Sequence, residues 1–505
     1  MQENTFLDWH RAPGVANLCQ ILERTARNNP ETLFCANEEI RFSYADTLAA
    51  VQGFAQVFAA RIKGADVAIF MPNSLAALIT YYGVLWAGGV PALLNAALPA
   101  KTGADLLDSL APGFVFADRP LDFAPDAEVV GKASLAEWRD LKITFPSACG
   151  SGNDPATSFF TGGTTGVPKR VCYSHEMLLC AGERMQWGWP MRAGEVFLHL
   201  APFSHIYGYI MGVCVTVQVA GTAIIPPRFH PREALELMER ERVTVLGGGP
   251  PAIYQALMSD PSLKTRDLST LRVCPGGGAP FPQAVHARWK RLTGLAIYEG
   301  YGMTEIAPIT VNTIVHGARA GAAGKPVPDT LVEVVDVDTG TRKMPTGEAG
   351  EIRTRGPHGM RGYVANPEET AKAIRDGWIY TGDIGTLDAE GFLTITDRKK
   401  DVIIHKGFNV FPREVEETLM RHEVVTGACV VGAPDKQAGE CIIAYVTCAE
   451  PVDPEVLIAH CRAYLVAHRL PARVEILPEL PLTPAGKVDR IALRVAAKQL
   501  KQEVK

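Results

Sequence analysis

The chain of 505 residues contains no C-x-x-C pair; its eleven cysteines, an odd number, are scattered from Cys19 to Cys461. That pattern argues against a disulfide framework or a zinc site and points to a reducing, cytoplasmic compartment. There is no basic excess either. Fifty Lys and Arg against 55 Asp and Glu leave a net charge of -5, so no nucleic-acid partner is expected. Met1 to His10 carries Glu3 and Asp8 and no apolar core, unlike a secretory signal. The most apolar run, Ile206 to Pro226, holds three glycines and Gln218 and lacks cationic flanks. It is expected to form a buried helix and strand rather than a membrane span. No repeat of fixed period is present.

The length suggests two to four domains, or one large one with additions. In the first half, short apolar runs alternate with helical patterns. Asp66–Met71 reads as a buried strand, Ser74 as the cap of a helix reaching Trp86, and Val90–Leu94 as the next strand. The pattern recurs with Val196–Ala201, a helix near Tyr209–Gln218, Thr222–Pro226, a helix over Glu233–Glu241, Val243–Gly247 and a helix over Pro251–Met258. Such alternation predicts an α/β fold with a largely parallel sheet. After about Ala322 the chain turns β-rich, more like a small barrel or antiparallel sheet. The charged run Asp397-Arg-Lys-Lys-Asp401 reads as a solvated turn or a mobile linker. The remaining residues suffice for a small α+β domain, with helices over Pro412–His422 and Asp453–Val466.

The strongest local signal is Phe160-Thr-Gly-Gly-Thr-Thr-Gly-Val-Pro-Lys-Arg170. Glycines let backbone N–H groups approach an anion, threonines add hydroxyls and Lys169 adds charge. By composition this is a phosphate cradle, although the Walker spacing is missing. A flexible surface loop is the alternative at this point.

Six further segments follow in order: Ala201-Pro-Phe-Ser-His-Ile-Tyr-Gly208, Gly276-Gly-Gly-Ala-Pro280, Tyr301-Gly-Met-Thr-Glu305, Tyr380-Thr-Gly-Asp383, Asp397–Asp401 and Pro484-Ala-Gly-Lys-Val-Asp-Arg490. Together with the loop they resemble the motifs of the adenylate-forming superfamily: acyl-CoA synthetases, coumarate-type ligases, luciferases and peptide-synthetase adenylation domains. The resemblance is greatest to a bacterial AMP-forming acyl-CoA synthetase. It implies a large N-terminal domain of layered α/β subdomains with a small β-barrel-like part (residues 1–396), a hinge (397–401), and a small mobile α+β C-terminal domain (402–505).

The reaction so implied activates an apolar carboxylic acid with MgATP to an acyl-AMP and pyrophosphate, then passes the acyl group to the thiol of CoA. Both first reactants are anionic, so fixed cations and donors must offset their repulsion. The resemblance gives Lys487 the charge on carboxylate and α-phosphate, Glu305 the Mg2+, and Thr304 and Thr165 phosphate hydrogen bonds. Nucleotide contacts fall to Thr161, Gly162, Gly163, Thr164, Thr165, Gly166, Lys169, Gly278, Ala279, Pro280, Tyr301, Gly302 and Met303, with Asp383 and Arg398 on the ribose. His205, Ile206, Tyr207, Gly208, Gly300 and Ile309 belong to the acyl pocket. Lys400 marks the hinge, and Lys406, Gly407 and Phe408 the CoA tunnel. Taken singly, Glu305 could be a surface carboxylate, Asp383 a turn-capping residue, Tyr301 a core tyrosine and His205 a structural histidine.

Two departures stand out. Gly162 takes a position where serine is common, and Arg170 one where glycine is usual. Arg170 could add a cation near the triphosphate or meet a local packing need. Gly300 stands where malonate-activating relatives carry arginine, which argues against a second carboxylate on the substrate. The context Pro481-Leu-Thr-Pro-Ala-Gly-Lys487 also fits lysine acetylation by an acetyltransferase. Homodimers are the base rate. Loading of a carrier-protein phosphopantetheine, or non-catalytic nucleotide-binding regulation, would use much of the same sequence. Gly276-Gly-Gly-Ala-Pro-Phe281 lacks the G-x-G-x-x-G pattern of an NAD dehydrogenase.

Overall fold

The computed structural model describes residues 15–37, 40–161, 168–279, 281–435, 437–482 and 488–500. The described residues fall into two compact units, one within Met1–Val332 and Thr354–Ile379 and the other within Glu333–Arg353 and Tyr380–Lys505.

The first unit is built on the expected α/β alternation. One sheet runs in the order Val90–Leu94, Asp66–Phe70, Phe114–Ala117, Glu128–Val129, with every pair parallel. A second runs Val245–Gly247, Val196–His199, Thr222–Ile224, Leu33–Ala36, Arg41–Ser43, parallel except for the last pair. Parallel strands covered on both faces need continuous apolar runs, and Val67–Phe70 are all buried. Ser74 caps the helix Leu75–Trp86 by accepting from the Ala77 N–H at 3.1 Å. Every residue of that helix except Ala76 is buried, so it is a core helix rather than an amphipathic cover. Ser43 and Asp46 form a capping box at the start of Tyr44–Ile62. A third sheet, Pro275–Gly277, Tyr298–Met303, Ile306–Val311, Lys325–Pro326, carries two of the motifs.

The apolar stretch near residue 210 is buried helix, but not a regular one. Ile206–Tyr209 and Thr216–Gln218 are α-helical, and Ile210–Val215 between them is a π-helical turn. Its wide spacing is held by Thr216, whose hydroxyl donates to the Met211 carbonyl at 2.8 Å and lies 3.0 Å from His199 Nε2. Burial lowers the His199 pKa to about 3, so this ring is neutral at pH 7.

In the second unit, residues 383–387 of the strand Trp378–Leu387 pair antiparallel with Leu393–Arg398, where a small barrel or antiparallel sheet was expected. Further on, Val425–Asp435 and Gly439–Cys448 form a long antiparallel pair. Alternate residues of this pair enter two separate cores. Val430, Ile442 and Ala444 pack with the helices Pro412–Leu419 and Pro454–Arg462. Cys429, Val431, Cys441 and Ile443 pack with the helix Arg490–Leu500.

The run at 397–401 is solvated only in its middle, where Arg398, Lys399 and Lys400 are exposed. Asp397 and Asp401 are buried, the latter within the short 3-10 turn Lys399–Asp401. Asp397 accepts from the N–H groups of Arg398 (2.8 Å) and Arg413 (2.9 Å), and Asp401 meets Arg494 at 3.0 Å. Buried carboxylates persist where such partners replace water.

Candidate active site

The strands Pro155–Phe160 and Arg170–Ser174 pair antiparallel, with Phe160 opposite Arg170. The glycine–threonine segment is therefore the connection of a β-hairpin. Its base is closed twice: the Thr161 N–H donates to the Lys169 carbonyl at 2.9 Å, and the Lys169 N–H to Thr161 Oγ1 at 3.2 Å. Gly162, Gly163, Thr164, Thr165, Gly166 and Pro280 lie outside the described residues, as does Lys487. Arg170 is held by side chains of neighbouring strands. Its Nε donates to Ser158 Oγ at 2.9 Å, and its Nη2 pairs with Asp66.

Thr304 and Glu305 form the two-residue turn of a second hairpin, because Met303 pairs with Ile306. The turn is held on three sides. Tyr173 Oη donates to the Thr304 carbonyl at 3.0 Å, the Met360 N–H to the Glu305 carbonyl at 2.7 Å, and Tyr363 Oη to Glu305 Oε1 at 2.6 Å. Glu305 is only 7% exposed, so it is not a surface carboxylate. Burial, then the neighbouring Glu305 charge, pushes the Tyr363 phenol up, which keeps it a donor. The Tyr363 ring also lies 4.5 Å beneath Lys169 Nζ, and Lys169 pairs with Glu369 at 3.0 Å. One tyrosine thus joins the base of the loop to the acidic turn.

His205 is exposed and caps Ile206–Tyr209, its Nδ1 accepting from the Tyr207 N–H at 3.3 Å. Ile206 and Ile309 are buried in the main core. Gly208 is required by close approach: a Cβ there would stand 2.2 Å from the Pro202 carbonyl oxygen. At Gly300 a Cβ would stand 3.3 Å from Val311 and 3.4 Å from the Trp189 ring, so bare backbone faces an indole. Tyr301 is half-buried in the strand Tyr298–Met303, and Gly278 has φ 77° and an open Cβ direction.

Residues 22–364 match the family described as AMP-binding enzyme, and residues 414–487 match the AMP-binding enzyme C-terminal domain. The chain belongs to this family. A long-chain-fatty-acid–CoA ligase of Bacillus subtilis is 34% identical over 479 residues, covering 85% of each chain. A propanoyl:CoA ligase of Mycobacterium tuberculosis, named for a methyl-dioxo-octahydro-indenyl acyl group, is 32% identical over 94% of this chain and 97% of its own. Among solved structures, ATP-bound MatB from Rhodopseudomonas palustris superposes with a TM-score of 0.89 at 29% identity, covering 96% of this chain and 99% of that one. As an adenylate-forming enzyme the chain has the motif order that its sequence displayed.

The remaining motif residues of this AMP-binding enzyme lie in the second unit. Asp383 is buried inside the strand Trp378–Leu387, not in a turn-capping position. Its Oδ1 meets Arg398 Nε at 2.8 Å across the strand pair, so the two expected ribose residues are together. Lys400 is in the 3-10 turn Lys399–Asp401, and burial lowers its pKa. Lys406 and Gly407 form a two-residue hairpin turn between the paired His405 and Phe408, with φ of 51° and 79°. Two positive φ angles make this the turn type that favours glycine, and a Cβ on Gly407 would meet nothing within 4 Å. Phe408 is 54% exposed and stacks on His468 with centroids 4.4 Å apart.

Sequence reasoning did not find Tyr363, Tyr173 or Glu369. Each reaches its partner from 58 to 200 residues away along the chain and carries no local motif of its own.

Proposed function

We infer that this AMP-binding enzyme is an ATP-dependent, AMP-forming acid:CoA ligase. It activates an apolar carboxylic acid to the acyl-AMP and transfers the acyl group to CoA. The observation that carries the reading is the Thr304–Glu305 turn, pinned by Tyr173, Met360 and Tyr363 and linked through Tyr363 to Lys169. A buried carboxylate fixed by one strong donor is a preorganised hard-oxygen site, as a reaction between two anions demands.

The residues fit Mg2+. Among the described residues no three His, Cys, Asp or Glu side chains could hold a metal, and magnesium does not need them. It takes one or two carboxylates and fills its shell with phosphate and water oxygens. Glu305 would be the protein ligand, and the ion would supply charge neutralisation at the phosphates. Tyr363 holds the carboxylate in one orientation, and Lys169 brings a cation to the loop's end. Asp383 and Arg398 serve the ribose, Tyr301 the adenine. Lys487 serves the reacting carboxylate and α-phosphate, and residues 397–401 act as the pivot between half-reactions in a chain divided at 1–396 and 402–505. The Lys406-Gly407 turn and Phe408 serve the CoA thiol arm.

The acyl group is apolar. Buried Ile206 and Ile309, the neutral His199 behind the π turn, and the indole of Trp189 beneath Gly300 offer no charged anchor. The relatives' names make long-chain fatty acids the first to try. No helix among the described residues is long and apolar enough to cross a membrane. We place the enzyme in the cytoplasm as a homodimer, with Lys487 the substrate of a lysine acetyltransferase.

The test incubates protein, MgATP and CoA with straight-chain, branched, alicyclic and aromatic acids, with products read by mass spectrometry. Acyl-CoA with AMP is the expected result. Acyl-AMP without acyl-CoA would replace CoA by a carrier protein, and nucleotide binding without any product would favour the regulatory reading.

A further inference from the structure

Two cysteines and a histidine meet in the first unit at a place that no step of the ligase reaction uses. Cys19, in the helix Leu18–Asn28, is buried next to Leu18, whose N–H reaches the same histidine as Cys149, and the two thiols influence each other. Cys149 Sγ lies 3.4 Å from His175 Nε2. His175 is itself buried and opens the helix His175–Gly188. The Leu18 N–H points at His175 Nδ1 from 3.4 Å, which makes that nitrogen the acceptor. The ring hydrogen therefore sits on Nε2, facing the sulfur.

The surrounding backbone is tied down. Asn17 Nδ2 donates to the Gly150 carbonyl at 2.8 Å, and the Glu176 N–H to the Gly152 carbonyl at 2.7 Å. Access is asymmetric: Cys149 is half-buried behind exposed residues 146–148, whereas Cys19 is 1% exposed. Both thiols are free.

We propose that Cys149 and Cys19 are a peroxide-reactive thiol pair, with Cys149 the sulfur that is oxidised first and Cys19 the one that resolves it to a disulfide. The Cys149 thiolate attacks one oxygen of hydrogen peroxide and the O–O bond breaks. The sulfur becomes a sulfenic acid, and the departing hydroxide takes a proton to leave as water. The Cys19 sulfur then attacks the sulfenic sulfur. The S–O bond breaks, the hydroxyl leaves as water with the Cys19 proton, and an S–S bond forms. Two thiols and one peroxide give one disulfide and two waters, and a dithiol reductant reverses the change.

Electrostatics divide the roles the same way. Interaction with Cys19 lowers the Cys149 thiol below its usual range, against the opposing effect of burial and with help from His175. Burial raises Cys19 well above its usual range, so Cys19 keeps its proton and donates. The disulfide would clip the helix Leu18–Asn28 to the segment that leads into the strand Pro155–Phe160.

The test uses the full-length protein and does not depend on its acid substrate. After mild peroxide treatment at neutral pH, non-reducing peptide mapping is expected to find the Cys19 and Cys149 peptides linked, lighter by two hydrogens. Cys19→Ser is expected to accumulate a dimedone adduct at Cys149. Because its thiol is lowered while burial raises Cys172 and Cys448, Cys149 of the unmodified protein should be alkylated faster than either near pH 6. Alkylation of Cys149 no faster than those two, or a peroxide-oxidised Cys149 beside a still-free Cys19, would overturn the proposal.

Discussion

Arg170 separates two physical accounts of the phosphate-loop hairpin, and Arg170→Ala tests them. In the structure its Nε donates to Ser158 Oγ at 2.9 Å, and its Nη2 pairs with Asp66. The arginine side chain is 11% exposed and the aspartate 28%. An exposed pair would contribute up to about 1 kcal/mol, and breaking a fully buried one costs about 3–5 kcal/mol. This pair lies between, and the Ser158 bond adds about 1 kcal/mol. Removing Arg170 should therefore destabilise the unit by about 2–3 kcal/mol in total. The assay is urea denaturation at constant slope, with Asp66→Ala and the double variant closing a cycle. A coupling energy of about 1–2 kcal/mol is expected, with the KM for ATP changed less than about threefold. A variant as stable as the parent but with a KM for ATP raised tenfold or more would refute the reasoning and return Arg170 to the triphosphate.

Three other outcomes are expected. Burial raises Asp397 from 3.8 to about 6, so its contribution to stability is fully present below about pH 4 and is lost as pH rises through about 6. About 3 kcal/mol is involved, and Asp397→Asn should flatten this slope in urea titrations at stepped pH; an unchanged slope would contradict the assignment. Tyr363→Phe removes the donor to Glu305 and should raise the Mg2+ concentration for half-maximal adenylate formation several-fold, while thermal unfolding shifts little; an unaltered Mg2+ dependence would exclude the positioning role. Gly407→Ala forces a Cβ onto φ 79°, a strain of about 1 kcal/mol, and should slow thioester formation more than adenylate formation in single-turnover assays. Equal slowing of both steps would detach this turn from CoA.

What was legible in the sequence was what depends on near neighbours. The buried strands announced themselves as apolar runs, and Ser74 as a cap directly ahead of its helix. The Gly-Met-Thr-Glu motif pointed to Glu305, and the structure supplies the reason for its spacing, a two-residue hairpin turn. What stayed hidden depends on distant partners. Asp397 and Asp401 read as solvent-facing charges because Arg413 and Arg494, which permit their burial, lie far along the chain. Tyr363 has no signature beyond being a tyrosine. The π turn at Ile210–Val215 is invisible to a 3.6-residue pattern, and the side-chain bonds of Thr216 to Met211 and His199 that accompany it carry no local signal. The partner of Arg170 was hidden in the same way, because Asp66 lies 104 residues away.

The paired strands Val425–Asp435 and Gly439–Cys448 bear on where this chain tolerates changes of length. Because neighbouring residues feed opposite cores, inserting or deleting one residue would exchange the two linings. Val430 would then turn to the helix Arg490–Leu500, and Cys429 and Val431 to the helices on the other side. That last helix begins three residues after Lys487 in the sequence, so a slip in strands remote from the motif would unseat the element that anchors it. Homologous chains and engineered variants should therefore vary in length at the ends of these strands and keep their interiors invariant in count, even where the residues themselves differ.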